Sequence, residues 1–220
     1  KAVREARPDI VHSHMTHANI LARVARPLYD VPALISTLHG MKMYGVNKRF
    51  TYWRELGHRL TDRWADLTTT ICEAAAQSYR DCAAVPAEKL QVILNGVDTA
   101  LFGPNPDTRA RMRRALGISN EFVWVRSFAR AAQAGLAGGT LLICGSGSLE
   151  GAIASLISSL GMTGRVRLLG FRNDLAELLT AADGYLMSSE TEGLPMALLQ
   201  ASATELPIVA TDVGGNREVV

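Results

Sequence analysis

The sequence lacks several things whose absence narrows its class. No apolar run approaches the roughly 20 residues needed to span a bilayer, and no leader pattern opens it. Cysteine is scarce and odd in number: Cys72, Cys82 and Cys144 have no paired spacing, which excludes a disulfide framework and fits a reducing compartment. Cys72 in TTTIC and Cys144 in TLLIC read as small core residues. Neither sign of charge is in excess, with 23 Lys and Arg against 21 Asp and Glu, and the balance of +2 argues against a dedicated nucleic-acid binder. HSHMTH (12–17) puts three histidines in six residues, two of them sharing a strand face, but it lacks an Asp, Glu or Cys at ligand spacing, so no metal site is expected. A full G-x-G-x-x-G is missing too: GSGS (145–148) runs on into Leu149 and Glu150. The ends also lack something. KAVREARPDIVHSH opens without Met in what reads as the last turns of a helix, and GGNREVV stops where a new element should begin, so the expectation is a chain incomplete at both ends.

What is present is an ordinary globular composition, 48% hydrophobic and 20% charged, over 220 residues, enough for one or two domains. Short β-rich runs recur: 9–14, 33–39, 67–71, 90–94, 122–125, 140–145, 165–170, 184–189 and 207–212. Helix-like runs lie between many of them, at 17–29, 48–65, 73–83, 107–116, 126–136, 148–160, 173–182 and 195–204. This alternation predicts an α/β protein of parallel sheets, and the nearly all-apolar strands predict helices on both sheet faces. GPNP (103–106) is linker chemistry. The boundary placed there divides residues 1–104, part of one doubly wound domain, from residues 105–220, most of a second.

Ligands of open parallel sheets bind outside the carboxyl ends of the strands, so polar residues just after strands carry the functional signal. SSETEGLP (188–195) is the richest. Gly193 lets the backbone approach a ligand or take a positive φ. Pro195 suits the first position of a helix, which leaves the amides of Met196 and Ala197 at a positive dipole end as an anion site. Glu192 beside them reads either as an acceptor for hydroxyls or, with Glu190, as an acid at a helix start. A phosphate on the amides and hydroxyls on the carboxylate would together be a sugar phosphate. His39 ends a strand and precedes Gly40; it reads either as a ligand contact or as a satisfied strand-end polar group. Gly145 and Gly147 form a short turn able to admit a base or phosphate. The stretch 41–64 carries six Lys or Arg against two acids, with Tyr44, Phe50, Tyr52, Trp53 and Trp64. It reads either as a segment for an anionic membrane surface or as a solvated helix with its aromatics in the core.

In order, RPDIVHSH, TLHG, ICEA, VILNGVDTALFGP, LLICGSG, RVRLLGF, SSETEGLP and PIVATDVGGNRE resemble the retaining family 4 (group 1) glycosyltransferases. The resemblance runs from about residue 7 to residue 220. It implies the GT-B architecture of two Rossmann-like domains, an acceptor side in 1–104 and a nucleotide-sugar donor side in 105–220. It implies transfer from a nucleotide diphosphate sugar to an acceptor hydroxyl with retention, in cell-surface polysaccharide or lipopolysaccharide synthesis. A UDP-sugar is the favoured donor, and no metal or other cofactor is expected. The acceptor would be a saccharide or a lipid-linked molecule, and the setting cytoplasmic, with peripheral contact at the inner membrane. By the same resemblance His39 reaches the donor sugar and Glu192 holds its hydroxyls. Gly145 and Gly147 belong to the donor site, Phe171 and Arg172 flank the nucleobase, and the backbone of Gly193, Leu194, Pro195, Met196 and Ala197 holds diphosphate and sugar.

The sequence departs from that pattern in three places. Gln200 stands where a second glutamate would hold the ribose; an amide still accepts a hydrogen bond, with binding weaker by about 1 kcal/mol. Thr204 and Glu205 replace a small residue and a glycine, in what is expected to be a surface turn. The Gly-Arg and Lys that hold the diphosphate in the family are not found: EFVWV runs directly into RSFARAAQAG, with Arg126 and Arg130 reading as helix. Because such connections take about two to six residues, a loop of roughly fifteen to twenty residues is expected at Val125–Arg126 that this sequence does not include because it is not ordered. Without the cations, the alternative is a degenerate protein that binds a nucleotide sugar or a partner without catalysis.

Overall fold

A computed structural model describes residues 5–40, 48–119, 121–127 and 139–220. The described residues fall into two compact units. One takes those of Lys1–Asn95 with Thr191–Leu194 and Val213–Glu218, and the other takes those of Gly96–Glu190 with Pro195–Asp212 and Val219–Val220.

The first unit is a four-stranded parallel sheet in the order β1-β2-β3-β4, formed by β1 (Ile10–His14), β2 (Ala33–Leu38), β3 (Leu67–Thr70) and β4 (Leu90–Val92). Its helices are α1 (Thr16–Ala25), α2 (Lys48–Thr61) and α3 (Glu73–Asp81). Pro27 cannot continue α1, and Arg26–Leu28 tighten into a 3-10 turn. Two side chains close the start of α3: the Cys72 thiol accepts from the Ala75 amide, and the Glu218 carboxylate accepts from the Glu73 and Ala74 amides at 3.0 and 2.9 Å. Leu38, Ala76, Tyr79, Val85 and Leu90 pack as an apolar core beside the sheet.

A buried polar cluster lies within the same unit. Arg23 of α1 is fully buried and donates to Ser36 at 3.1 Å, to Thr68 at 2.7 Å and to the His58 carbonyl. Asp62 lies 3.8 Å away and faces Lys89 as well, so the buried cation is neutralised. Burial, then the charges of Arg23 and Arg54, lower the His58 pKa to about 4, which keeps that ring neutral beside the guanidinium.

The second unit is a five-stranded parallel sheet in the order β7-β6-β5-β8-β9. Its strands are β5 (Phe122–Ser127), β6 (Gly139–Cys144), β7 (Val166–Gly170), β8 (Gly184–Met187) and β9 (Ile208–Ala210). The helices are α4 (Pro106–Ala115), α5 (Glu150–Ser159), α6 (Leu175–Ala181) and α7 (Met196–Ala203). The Asn-Pro of the linker signal starts α4, with the Asn105 side chain accepting from the Thr108 amide and Pro106 at the first helical position. Val123, Val125, Leu142, Leu178, Leu179, Tyr185 and Leu198 form the core, and Arg109 and Arg113 fasten α4 to Asp183 and its neighbouring carbonyls. The strand order reverses at β5/β8, which is a topological switch point.

All nine strand-like runs are strands. The helix read from residue 126 is corrected at its start: Val125 pairs with Leu142 and Arg126 with Ile143 and Leu186, so strand β5 runs on to Ser127. Strand rather than helix therefore claims Arg126, because the ladder on both sides offers its backbone partners. Arg130 and most of the helix read at 126–136 lie outside the described residues, as do Tyr44 and the side chain of Phe50. Tyr52 and Trp53 of α2 are exposed, at 58% and 57%, so these two aromatics are not core residues. No helix among the described residues is long and apolar enough to cross a membrane.

Candidate active site

In the first unit, the carboxyl ends of β1 and β2 bring three histidines together. His14 Nδ1 lies 2.8 Å from His39 Nε2, and the rings are 5.1 Å apart. His12 stacks at 4.2 Å from His14 and bonds through Nε2 to the Thr37 hydroxyl at 2.7 Å. Partial burial, then the neighbouring His14 and His12, push the His39 imidazole below its ordinary value, which favours the neutral ring. Among the described residues no group of three His, Cys, Asp or Glu is arranged to hold a metal ion.

Thr191–Leu194 belong to this same unit, so Glu192 and Gly193 sit in one body with His39. Gly193 is needed for close approach, and the thing approached is the chain itself. A Cβ there would lie 2.6 Å from the His39 carbonyl oxygen. The Gly193 carbonyl in turn accepts from the Gly215 amide at 2.8 Å, and a Cβ on Gly215 would lie 2.3 Å from that oxygen. A positive φ at Gly193 is not what the backbone uses. Asn95 of the NGVD run donates its side-chain amide to the Leu194 carbonyl at 3.1 Å. Leu194 is buried and Glu192 half-buried.

In the second unit, a cavity of about 160 Å³ opens at the switch point. Val125, Cys144, Gly145, Phe171, Arg172, Tyr185 and Ala197 are among its lining residues. A register shift after Ile143 sets Cys144 opposite Gly170, whose φ of 63° turns the chain so that its carbonyl accepts from the Gly145 amide at 2.7 Å. That bond brings the ends of β6 and β7 together and projects Phe171, 75% exposed, at the cavity. Arg172 is held by its own loop: Nε donates to Asp174 at 2.7 Å, and the pair raises the pKa of the guanidinium and lowers that of the carboxyl. Burial lifts the Cys144 thiol to about 11, so it lines the cavity as a small apolar group.

Helix α7 begins one residue later than expected, at Met196, with Pro195 as the flanking residue and no side-chain cap. Leu198 and Leu199 donate to the Pro195 carbonyl. Among the described residues the Met196 and Ala197 amides take no acceptor, and Ala197 also lines the cavity. Gln200 lies three residues on, on the same side of α7 as Ala197, half-buried. At its other end α7 closes with a Schellman motif: Leu206 donates to the Ala201 carbonyl and Glu205, at φ 60°, to that of Ser202. Glu205 thus keeps a glycine-type backbone. Thr204 is not on the surface; it is buried with its hydroxyl on the Gln200 carbonyl at 2.9 Å.

Gly145, Phe171, Arg172 and Ala197 therefore meet at one cavity, and His39, Glu192, Gly193 and Leu194 share the other unit. Gly147, Pro195, Met196 and Gln200 are not in the cavity lining. Sequence reasoning did not single out Val125 and Tyr185, which only the strand order brings together, or the role of His14, which stood out only as one of three clustered histidines.

Comparison with known proteins agrees with the folds of both units. The sequence model described as glycosyl transferases group 1 matches residues 110–220, and the one described as glycosyltransferase family 4 matches residues 1–101. The chain is 27% identical to the UDP-Gal:alpha-D-GlcNAc-diphosphoundecaprenol alpha-1,3-galactosyltransferase of Escherichia coli, over 100% of this chain and 62% of that protein. It is 25% identical to the N-acetyl-alpha-D-glucosaminyl L-malate synthase of Bacillus anthracis, over 96% of this chain and 58% of that one. The chain thus spans about three fifths of the length of these relatives. The first alignment covers 246 positions, more than the 220 residues available, so that relative carries residues with no counterpart here. Among solved structures, Anabaena Alr3699/HepE in complex with UDP-glucose superposes with a TM-score of 0.86 at 23% identity, covering 100% of this chain and 64% of that one.

Proposed function

The chain belongs to the glycosyl transferases group 1 family, and from that membership we propose that it forms the core of a retaining glycosyltransferase. It would move a sugar from a nucleotide diphosphate sugar, with UDP-sugar favoured, to an acceptor hydroxyl in polysaccharide or glycoconjugate assembly. The observation that carries the reading is the cavity at the β5/β8 switch point, with Ala197 at an uncapped helix start in its wall. An apolar recess suits a nucleobase, and amides at a helix start suit a diphosphate. On this reading the second unit binds the nucleotide.

The leaving group is a diphosphate, so its growing charge is what the site must stabilise, and the α7 amides are placed to do so. Glu192 would accept hydrogen bonds from sugar hydroxyls and offset positive charge at the ring. His39 would position the same sugar. The departing phosphate would take the acceptor proton on the face it leaves, which gives retention. The printed names of relatives, one acting on a diphosphoundecaprenol-linked sugar, favour a saccharide or lipid-linked acceptor. Exposed Tyr52 and Trp53 beside the basic residues of α2 would serve a membrane-bound acceptor.

A second reading, a binder of nucleotide sugars that does not transfer, is favoured by Gln200, whose amide lacks the charge of a carboxylate. Glu192→Ala separates the two. In the transferase it lowers transfer at least about a hundredfold with little effect on nucleotide binding, the size seen when a transition-state contact is lost. Near-wild-type transfer overturns the site assignment, and binding without any turnover in the wild type selects the second reading.

A further inference from the structure

We propose that His14 is a positioning residue: it fixes the tautomer of His39 so that His39 offers Nδ1, as a lone-pair acceptor, to a ligand hydroxyl. The proposal rests on the reading of His39 as a ligand-facing group. Neighbouring parallel strands make the pairing possible, since His14 is opposite Thr37 in the β1–β2 register and His39 follows two residues later. The 2.8 Å between His14 Nδ1 and His39 Nε2 admits one hydrogen and no more. Two neutral arrangements satisfy it. If His14 donates, it must carry its hydrogen on Nδ1, and His39 then presents an N–H donor. If His39 donates, both rings carry hydrogen on Nε2, the form that an unconstrained histidine side chain favours.

The second arrangement leaves each ring in the form it favours by itself, and the shared hydrogen bond holds both there together. His12, two residues away on the same face, is engaged elsewhere: its Nε2 meets the Thr37 hydroxyl at 2.7 Å, which meets the Thr69 hydroxyl at 2.7 Å. The titratable groups acting on His39 are His14 and His12, and both oppose a charge on it. A neutral His39 with bare Nδ1 accepts from a hydroxyl and turns away a phosphate oxygen, which has no hydrogen to give. His39 is thereby a reader of sugar hydroxyls, and His14 sets that polarity.

Two-bond ¹⁵N correlation spectra of histidine-labelled, ligand-free full-length protein test this directly, because they show which ring nitrogens carry hydrogen. The expected wild-type result is hydrogen on Nε2 and none on Nδ1 in both His14 and His39. In His14→Leu, the His39 resonances should report a mixture of tautomers. Hydrogen on His39 Nδ1 in the wild type, or an unmixed His39 in His14→Leu, overturns the proposal. Kinetics give an independent arm. The amide oxygen introduced by His14→Asn can still accept from His39, so that variant should keep kcat/KM within about threefold, whereas His14→Leu should lose about tenfold or more. Equal losses, or none in either, overturn it. His14 is exposed, so both variants should melt like the wild type, which the thermal transition checks. If Glu192→Ala proves fully active, the sugar-transfer reading fails, while the spectra still decide the role of His14.

Discussion

Gly193→Ala is the sharpest probe of how the first unit is joined. The added methyl would stand 2.6 Å from the His39 carbonyl oxygen and 3.1 Å from Ile71 Cδ1. Real Cβ atoms essentially never come within 3.0 Å of such an atom. Ile71 can change rotamer, but a backbone carbonyl cannot swing away without dragging its peptide. The strain therefore passes to the loop that carries His39 and to the Gly193–Gly215 hydrogen bond at 2.8 Å. Overpacking of this kind costs about 1–3 kcal/mol. In a chain of this length each kcal/mol lowers Tm by about 2–4 °C. Thermal unfolding followed by circular dichroism measures it, with Gly151→Ala as the control. Gly151 lies inside α5 with nothing within 4 Å of a Cβ, so there alanine should stabilise by about 0.5–1 kcal/mol. If Gly193→Ala melts within a degree of the wild type, the close approach to His39 is wrong. If it destabilises but leaves kcat/KM unchanged, His39 does not report on the strain and its place in the site is wrong.

Glu205→Gly should stabilise by about 0.5–1 kcal/mol in urea denaturation, because glycine relieves the left-handed backbone and gives back part of that gain as chain entropy in the unfolded state. Asp183 accepts from the Val123 amide and pairs with Arg109 and Arg113; burial works against its charge, but these partners hold its carboxyl below the usual range. Its contribution is therefore complete above the ordinary aspartate pKa and is lost as pH falls through the lower folded value. Asp183→Asn should cost about 2–4 kcal/mol at pH 7 and flatten the acid limb of a stability–pH curve, and an unchanged limb would refute the assignment. Gln200→Glu should tighten UDP-sugar binding by about 1 kcal/mol, roughly fivefold by calorimetry, since a charged acceptor strengthens a hydroxyl contact; no change would mean that residue 200 does not touch the ribose.

The strands were legible because each is a compact β-rich run bounded by turn residues, and the start of α4 because Asn-Pro is both linker and cap. What the sequence hid was whatever depends on partners far along the chain. Arg23 lies in an amphipathic helix, where an arginine is ordinarily solvated. It is buried because Ser36 and Thr68, which look like ordinary strand residues, offer it hydroxyls, with Asp62 and Lys89 balancing the charge. Gly193 was legible as a place of close approach, but not its partner, since the His39 carbonyl is remote in sequence. The end of β5 was hidden because Arg126 and Ser127 are poor strand signals by themselves and become strand only with β6 and β8 on either side.

Strand order is the one property that converts these local readings into a site. A one-dimensional pattern places β5 next to β6 in sequence but cannot say that β8, much later in the chain, flanks it on the other side. Once it does, the strand order reverses between β5 and β8, and such a reversal is where ligands of open parallel sheets bind. Val125 and Tyr185 become two walls of one cavity for that reason alone. The same logic operates in the first unit: β1 beside β2 is what turns His14 and His39, separated by 25 residues, into a hydrogen-bonded pair. The chemistry was written in residue types at strand ends, and the pairing of strands selected which of those residues could act together.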